Sequence, residues 1–404
     1  MTTPRETPSR ASQDRVKVAG GGGIWSRNLI LLAAAIFLLS LGLGLQRGVN
    51  TNFMKELGLS GSQVLLQSGI REIPGLGLMF IAALLMHLPL TWRAVASVLV
   101  MGAGYALFVA VHSWTALVVV SLMASFGFHL WMPLNNSLAL GLVSREKSGR
   151  VLGTLVAVAA LASMAGIGSI LLFSRWFSLR TFFGIAGTLI IVAAIVLSRL
   201  PKNISETEKA QPRLLFKRRY WLYYVLLLFE GSRTQVFSAF NLMVLVYNYG
   251  LSALQISYLL LASGLVNFLF ARPLGHLLDM VGERITLTGG YLALALCFVG
   301  YATVGNVWVL GTLVIFINLL VTLRMGLSTY VNRIAPREEL TPTLSTGVSV
   351  NHITSVGVSF AAGALLPIVG YKALSWGVVA IVLLSVPFTL AIRNRLPQPK
   401  PAAD

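Results

Sequence analysis

Residues 58–64 read Gly58-Leu59-Ser60-Gly61-Ser62-Gln63-Val64, and residues 250–256 read Gly250-Leu251-Ser252-Ala253-Leu254-Gln255-Ile256, an offset of 192. The same offset carries Arg145-Glu146 onto Arg337-Glu338. Two landmarks met by one shift, with no gap, mark a duplicated unit. Outward from each landmark the chain is apolar over runs of about 20 residues or more, the length a helix needs to cross about 30 Å of hydrocarbon. Of the 404 residues 56% are apolar and only 11% charged, too little charge to cover a soluble globule.

Twelve such runs are expected: 28–53, 61–85, 94–112, 114–142, 151–174, 180–199, 220–248, 253–272, 285–304, 306–332, 343–368 and 373–392. An even number puts both termini on one side. The connection 201–219, with Lys202, Lys209, Arg213, Lys217 and Arg218, divides the spans six and six. The expected organisation is a polar tail 1–27, a six-helix bundle 28–200, the basic linker 201–219, a second six-helix bundle 220–393 and a tail 394–404. This is an all-α integral membrane protein of two pseudo-symmetric halves.

The net charge of +18 would suggest nucleic acid as a partner on a soluble chain. Here the basic residues sit in short loops, where they report topology. Only Lys55, Arg175, Arg180 and Lys372 lie in the loops of one side, and Arg47, Arg71, Arg233 and Arg324 lie within spans; the rest of the 31 Lys and Arg lie on the other side. That bias puts both termini in the cytoplasm, across the cell's inner (plasma) membrane, and no nucleic-acid partner is expected. The tail carries Arg5, Arg10, Arg15, Lys17 and the run Gly20 to Gly23, without the apolar stretch of a secretory signal, and reads as disordered. Tryptophans Trp25, Trp92, Trp114, Trp176, Trp221 and Trp308 fall at span ends, where the interface holds their rings. A single cysteine excludes a disulfide framework and a thiolate metal cage.

After the eighth run comes Gly275-His276-Leu277-Leu278-Asp279-Met280-Val281-Gly282-Glu283-Arg284. It resembles the G-x-x-x-D-x-x-G-x-R signature of the major facilitator superfamily, and with the six-plus-six pattern the resemblance covers nearly the whole chain after the tail. The resemblance implies a gate in which Gly275 and Gly282 permit a tight turn while Asp279 and Arg284 make charged contacts that hold one conformation. It also implies alternating access and a monomer. The first half departs from the pattern: Ala83, His87, Leu90 and Trp92 stand at the equivalent positions. The fifth run has Gly166 and Gly168, explained by close helix packing, but lacks the glycine-proline motif of the family's antiporters.

Charges inside a bilayer cost several kcal/mol and mark wet cavities or partners. Glu72 and Glu230 join the four arginines, in the first, second, seventh and tenth runs, whereas the third, sixth, ninth and twelfth have uncharged interiors. In the family fold the first, fourth, seventh and tenth helices line the path. Glu230, Arg233, Phe237 and Asn241 share a helical stripe, with Arg233 about 20 Å from the start of its helix. Ser125, His129, Met132 and Asn136 form another on the fourth helix, and His352 with Asn351 lies near mid-depth on the eleventh. Arg71, Arg233, Asn241, His129, Asn136, His352, Asn351, Arg47 and Arg324 are the expected substrate-binding residues. Arg71 with Glu72, and Glu230 with Arg233, equally read as structural ion pairs. The histidines have no metal-ligand spacing in sequence, and neither a metal nor a cofactor is expected.

Four arginines against two glutamates leave a cationic path suited to carboxylate, phosphate or similar oxyanions. Glu230 first, and Glu72 second, are the expected proton carriers. No G-x-x-x-x-G-K-[ST] loop is present, so energy should come from a gradient. The expected function is secondary active transport of a small anionic solute with protons. The alternatives are an exporter of cationic or neutral amphiphiles and a non-transporting assembly or sensor protein on the same scaffold. A membrane enzyme stands behind these, for want of a catalytic cluster.

Overall fold

The computed structural model describes residues 26–77, 84–143, 147–202, 204, 216–235 and 239–393. Among them every regular element is helical. Eight helices are long and apolar enough to cross a membrane. Two of these contain two spans each, broken by a glycine of positive φ: Gly282 (φ 79°, ψ 168°) within Ala253–Thr303 and Gly370 (φ 74°, ψ 169°) within Arg337–Leu390. Glycine alone takes that backbone conformation without strain, so the chain changes direction at these two points. The second span is described as Gly61–Leu76, and the seventh as Trp221–Gln235 and Asn241–Asn248, with 236–238 outside the described residues. Counted in this way the described residues hold twelve spans.

The remaining spans are Arg27–Glu56, Leu90–Leu107, Trp114–Gly141, Ser148–Phe173 and Leu179–Leu197 in the first half. The tenth, expected as one helix over 306–332, runs over Val307–Ile334 with a 3-10 turn, Thr322–Arg324, between Val307–Val321 and Met325–Ile334. The eighth, expected to stop at 272, continues through Pro273 to Gly282. Hydropathy marks the depth of hydrocarbon a span crosses, not where its backbone hydrogen bonds end.

The repeat at offset 192 is a repeat of geometry. Gly58 and Gly250 both have positive φ, 77° and 73°. Ser60 and Ser252 each accept from the backbone N–H of the glutamine three residues on, at 3.3 Å in both copies. Gln63 and Gln255 each accept back from the serine N–H at 2.9 Å. These reciprocal caps satisfy the same orphan donors at the start of the second and eighth spans. The second landmark, Arg145-Glu146, lies outside the described residues, as do Ala83, Phe237, most of the 201–219 linker and residues 1–25 and 394–404 of the tails.

Within the first half, span one packs against spans five and six, and span three against four and six. Gly166 lies against the Leu41 carbonyl, whereas Gly168 has open space beside it. The halves meet along two seams. Span two lies along span eleven, where Gly69 faces Ser359 and Gly363 faces Leu66, and span five meets span eight, where Gly264 faces Met164. Span one starts at Arg27, on the terminal face, and ends at Glu56, on the far face. At the far face the halves are tied by Asn52 Nδ2 to the Leu251 carbonyl at 2.8 Å, by Lys55 Nζ to the Val246 carbonyl at 2.7 Å and by Ser62 Oγ to the Gly363 carbonyl. These bonds join the two halves at that face.

Candidate functional site: a buried carboxylate and two histidines between the halves

Span two carries Gln67, Arg71 and Glu72 toward the interior on successive turns. Gln67 is fully buried and donates from Nε2 to Ser121 Oγ on span four at 2.8 Å. One turn deeper, Ser125 of span four donates its hydroxyl proton to the Arg71 carbonyl. Ser125 also receives His129: the His129 Nδ1 lies 2.8 Å from the Ser125 carbonyl oxygen, which can only accept. Nδ1 therefore carries a proton, and Nε2 is turned to the opposite side of the ring.

That Nε2 faces Glu72, 3.8 Å from Oε2. The same carboxylate oxygen is 2.9 Å from Nδ1 of His352 on span eleven. The two rings meet edge to face with centroids 5.0 Å apart. Gly75, one turn below Glu72, makes room for both: a Cβ there would come within 2.9 Å of His129 Cδ2 and of His352 Cε1 and Nδ1. The cluster joins spans two and four of one half to span eleven of the other. His129 and His352 are 5% and 12% exposed in their side chains and Glu72 24%, so it can be reached from the path. Glu72 is thus paired across the seam with His352, not with Arg71.

The second carboxylate is engaged differently. Glu230 Oε2 lies 2.7 Å from an Arg233 terminal nitrogen, with both side chains buried. The guanidinium sits over the Tyr291 ring, Cζ 3.7 Å from its centroid, and reaches toward Ser385 Oγ at 3.5 Å. Arg233 is therefore turned into the second bundle, toward spans nine and twelve. Asn241, at the start of Asn241–Asn248 in span seven, is fully buried, and neither its Oδ1 nor its Nδ2 has a partner among the described residues. Residues 239–240, just before it, are π-helical.

The remaining arginines are accessible. Arg47 is exposed midway along span one between buried Gln46 and Gly48, Arg71 is half-buried, and Arg324 is exposed in the 3-10 turn of span ten. Among the described residues none of the three pairs with a carboxylate. Asn351 is half-buried beside His352, its carbonyl against Gly231 of span seven, and Asn136 is exposed toward the terminal face.

In the signature loop Gly282 makes the turn, and a Cβ on Gly275 would lie 3.9 Å from Met325 Cε. Asp279 and Arg284 are both exposed and form no ion pair with a described residue. The charged contact is made by Glu283, which is buried and meets Arg333 at the end of span ten at 2.8 Å. Sequence reasoning passed over Arg333 and Gly75, read Glu283 only as a spacer within the signature, and placed Ser125 on the span-four stripe without a role of its own. A serine one turn before a histidine on one helix was the legible signal for Ser125.

The Major Facilitator Superfamily model matches residues 32–345, and the chain belongs to that family. Among solved structures it is similar to the nucleoside transporter NupG, with a TM-score of 0.74 at 13% identity, covering 92% of this chain and 100% of that one. A bacterial homologue of the human lysosomal transporter Spinster, inward-facing and occupied, has a TM-score of 0.70 at 12% identity, over 89% and 95% of the two chains. A D-xylose-proton symporter has a TM-score of 0.70 at 14% identity, over 90% and 97%. At these identities the likeness shows the fold. No curated protein matches the sequence. The protein is a multi-pass membrane transporter of the superfamily, and not an enzyme.

Proposed function

We propose that this transporter moves a small anionic solute by proton-coupled secondary transport. The observation that carries the reading is the accessibility of Arg47, Arg71 and Arg324 without carboxylate partners among the described residues, while both intramembrane glutamates are already engaged. Guanidinium groups in that setting favour an oxyanion they can hold by paired hydrogen bonds. Glu230 is the proposed proton carrier: when it takes up a proton, Arg233 keeps the Tyr291 ring face, so no bare cation is left buried. A proton symporter for a sugar, D-xylose, on the same fold supports the coupling.

On the basic bias of the loops the terminal face is cytoplasmic, the membrane is the inner one, and the halves are 28–200 and 220–393, joined by the linker 201–219. The conformation described is then the inward-facing state, with Asp279 and Arg284 released and free to engage when the inner side closes. The transporter works as a monomer. The test is thermal stability of purified protein with anionic, neutral and cationic metabolites, followed by flux in vesicles. Selected anions should stabilise wild type but not Arg71→Gln or Arg47→Gln, and Glu230→Gln should abolish proton-driven accumulation while leaving exchange. Stabilisation by cations or neutral amphiphiles alone would overturn the anion reading in favour of an exporter of such compounds. Absence of flux with every ligand would favour the assembly or sensor role.

A further inference from the structure

The Glu72, His129 and His352 cluster has a feature that anion transport does not use. A carboxylate oxygen and the second nitrogen of an imidazole face each other at 3.8 Å, with the histidine buried. The Nδ1 side of His129 is committed to the Ser125 carbonyl, which turns Nε2 toward the carboxylate at a separation longer than a hydrogen bond. The gap between them is one that a bridging cation fits. We infer that Glu72, His129 and His352 form a binding site for a divalent transition-metal ion of the zinc type, bridging the two halves of the transporter.

The geometry is that of a three-ligand site. One ligand atom from each residue lies within 4.8 Å of the other two. A tetrahedron built on metal bonds of about 2.0–2.1 Å has an edge of about 3.3 Å. The distances to Glu72 Oε2, 2.9 Å from His352 Nδ1 and 3.8 Å from His129 Nε2, fall on either side of that edge. Two imidazoles and one carboxylate suit zinc and its neighbours in the first transition row, and exclude magnesium and calcium, which need oxygen ligands.

The surroundings are those of a prepared site. A ligating histidine ordinarily donates its other ring proton to a carbonyl, which orients the ring and fixes the tautomer, and Ser125 does this for His129. Gly75 lets the two rings converge where any side chain would part them. Binding requires His352 Nδ1 to give up the proton it shares with Glu72. The fourth position is left to water or an anion. The ligands come from spans two, four and eleven, so a bound ion ties one half to the other at mid-seam and favours the conformation in which the halves are joined at the far face.

The inference does not rest on the anionic substrate and is tested without transport. Purified full-length protein, stripped with chelator, is titrated with Zn2+ by calorimetry and by thermal shift. Wild type should bind one ion per chain and gain thermal stability. Glu72→Gln and His352→Gln should each weaken binding at least tenfold, and His87→Ala with His276→Ala, away from the cluster, should not. Because the cluster variants could fold poorly, Co2+ is added to wild type as a second reading. The visible band of four-coordinate cobalt with nitrogen ligands should appear and be displaced by Zn2+. Zn2+ binding unchanged in both cluster variants, or wild type showing neither saturable Zn2+ binding nor the cobalt band, would overturn the inference and leave a proton as the occupant of the gap.

Discussion

The hydroxyl of Ser62 donates to the carbonyl of Gly363 across the seam between the halves. That carbonyl is available because residue 367, four positions on, is a proline with no N–H to return. A helix defect in span eleven thus becomes an acceptor for span two. Ser62→Ala should lower stability by about 0.5–1.5 kcal/mol and increase labelling of cysteines placed at the far face. Pro367→Ala should weaken the same contact by giving Gly363 a partner within its own helix. Thermal shift and thiol-labelling rates check both.

Arg233 and Glu230 should be thermodynamically inseparable. Arg233→Gln leaves a buried carboxylate without its cation and should cost about 3–5 kcal/mol. The double variant Glu230→Gln with Arg233→Gln should recover much of that loss, as measured in a double-mutant cycle by chemical or thermal unfolding. Tyr291→Leu should cost up to about 2 kcal/mol by removing the ring face from the guanidinium, whereas Tyr291→Phe should retain most of it.

At the terminal face Glu339 accepts from Lys217 Nζ at 2.7 Å, from Arg219 and from Tyr220 Oη at 2.8 Å, binding the start of span seven to the start of span eleven. Lys217, Arg219 and Tyr220 hold its carboxyl down at about 2, from an ordinary 4.5. A depressed folded-state value means that the contribution is whole above about pH 4.5 and is lost as pH falls toward 2. The difference in melting temperature between wild type and Glu339→Gln should be constant from pH 7 to 5 and shrink steadily below. A difference that widens on acidification would contradict this arrangement.

Two glycines should respond to alanine with one sign and a third with the other. Gly282→Ala and Gly370→Ala force a side chain into a conformation reserved for glycine, at a cost of about 1–3 kcal/mol. Gly289, on a regular helix with nothing within 4 Å of a Cβ, should gain up to about 1 kcal/mol from alanine. Melting temperatures of the three single variants decide it.

Twelve spans and their halves were legible because each depends on local quantities: how many apolar residues run together, and which turn residues recur at one offset. Gly58 and Gly250, with the serine and glutamine that follow, need only neighbours within a few residues to form their turns and caps. Hydropathy carries no record of helix type inside an apolar run, so the π-helical residues 239–240 of span seven and the 3-10 turn of span ten were not legible. The glutamates, the arginines and both histidines were legible as polar residues at membrane depth, which is a cost any sequence displays. Helical spacing says which residues share a stripe, but not what the stripe faces. The rotation of each helix about its axis is set by packing against neighbours from distant parts of the chain. Only that packing turned Arg233 onto Tyr291, set Glu283 rather than Asp279 against Arg333, and brought Glu72 to His352, a residue 280 positions away in the other half.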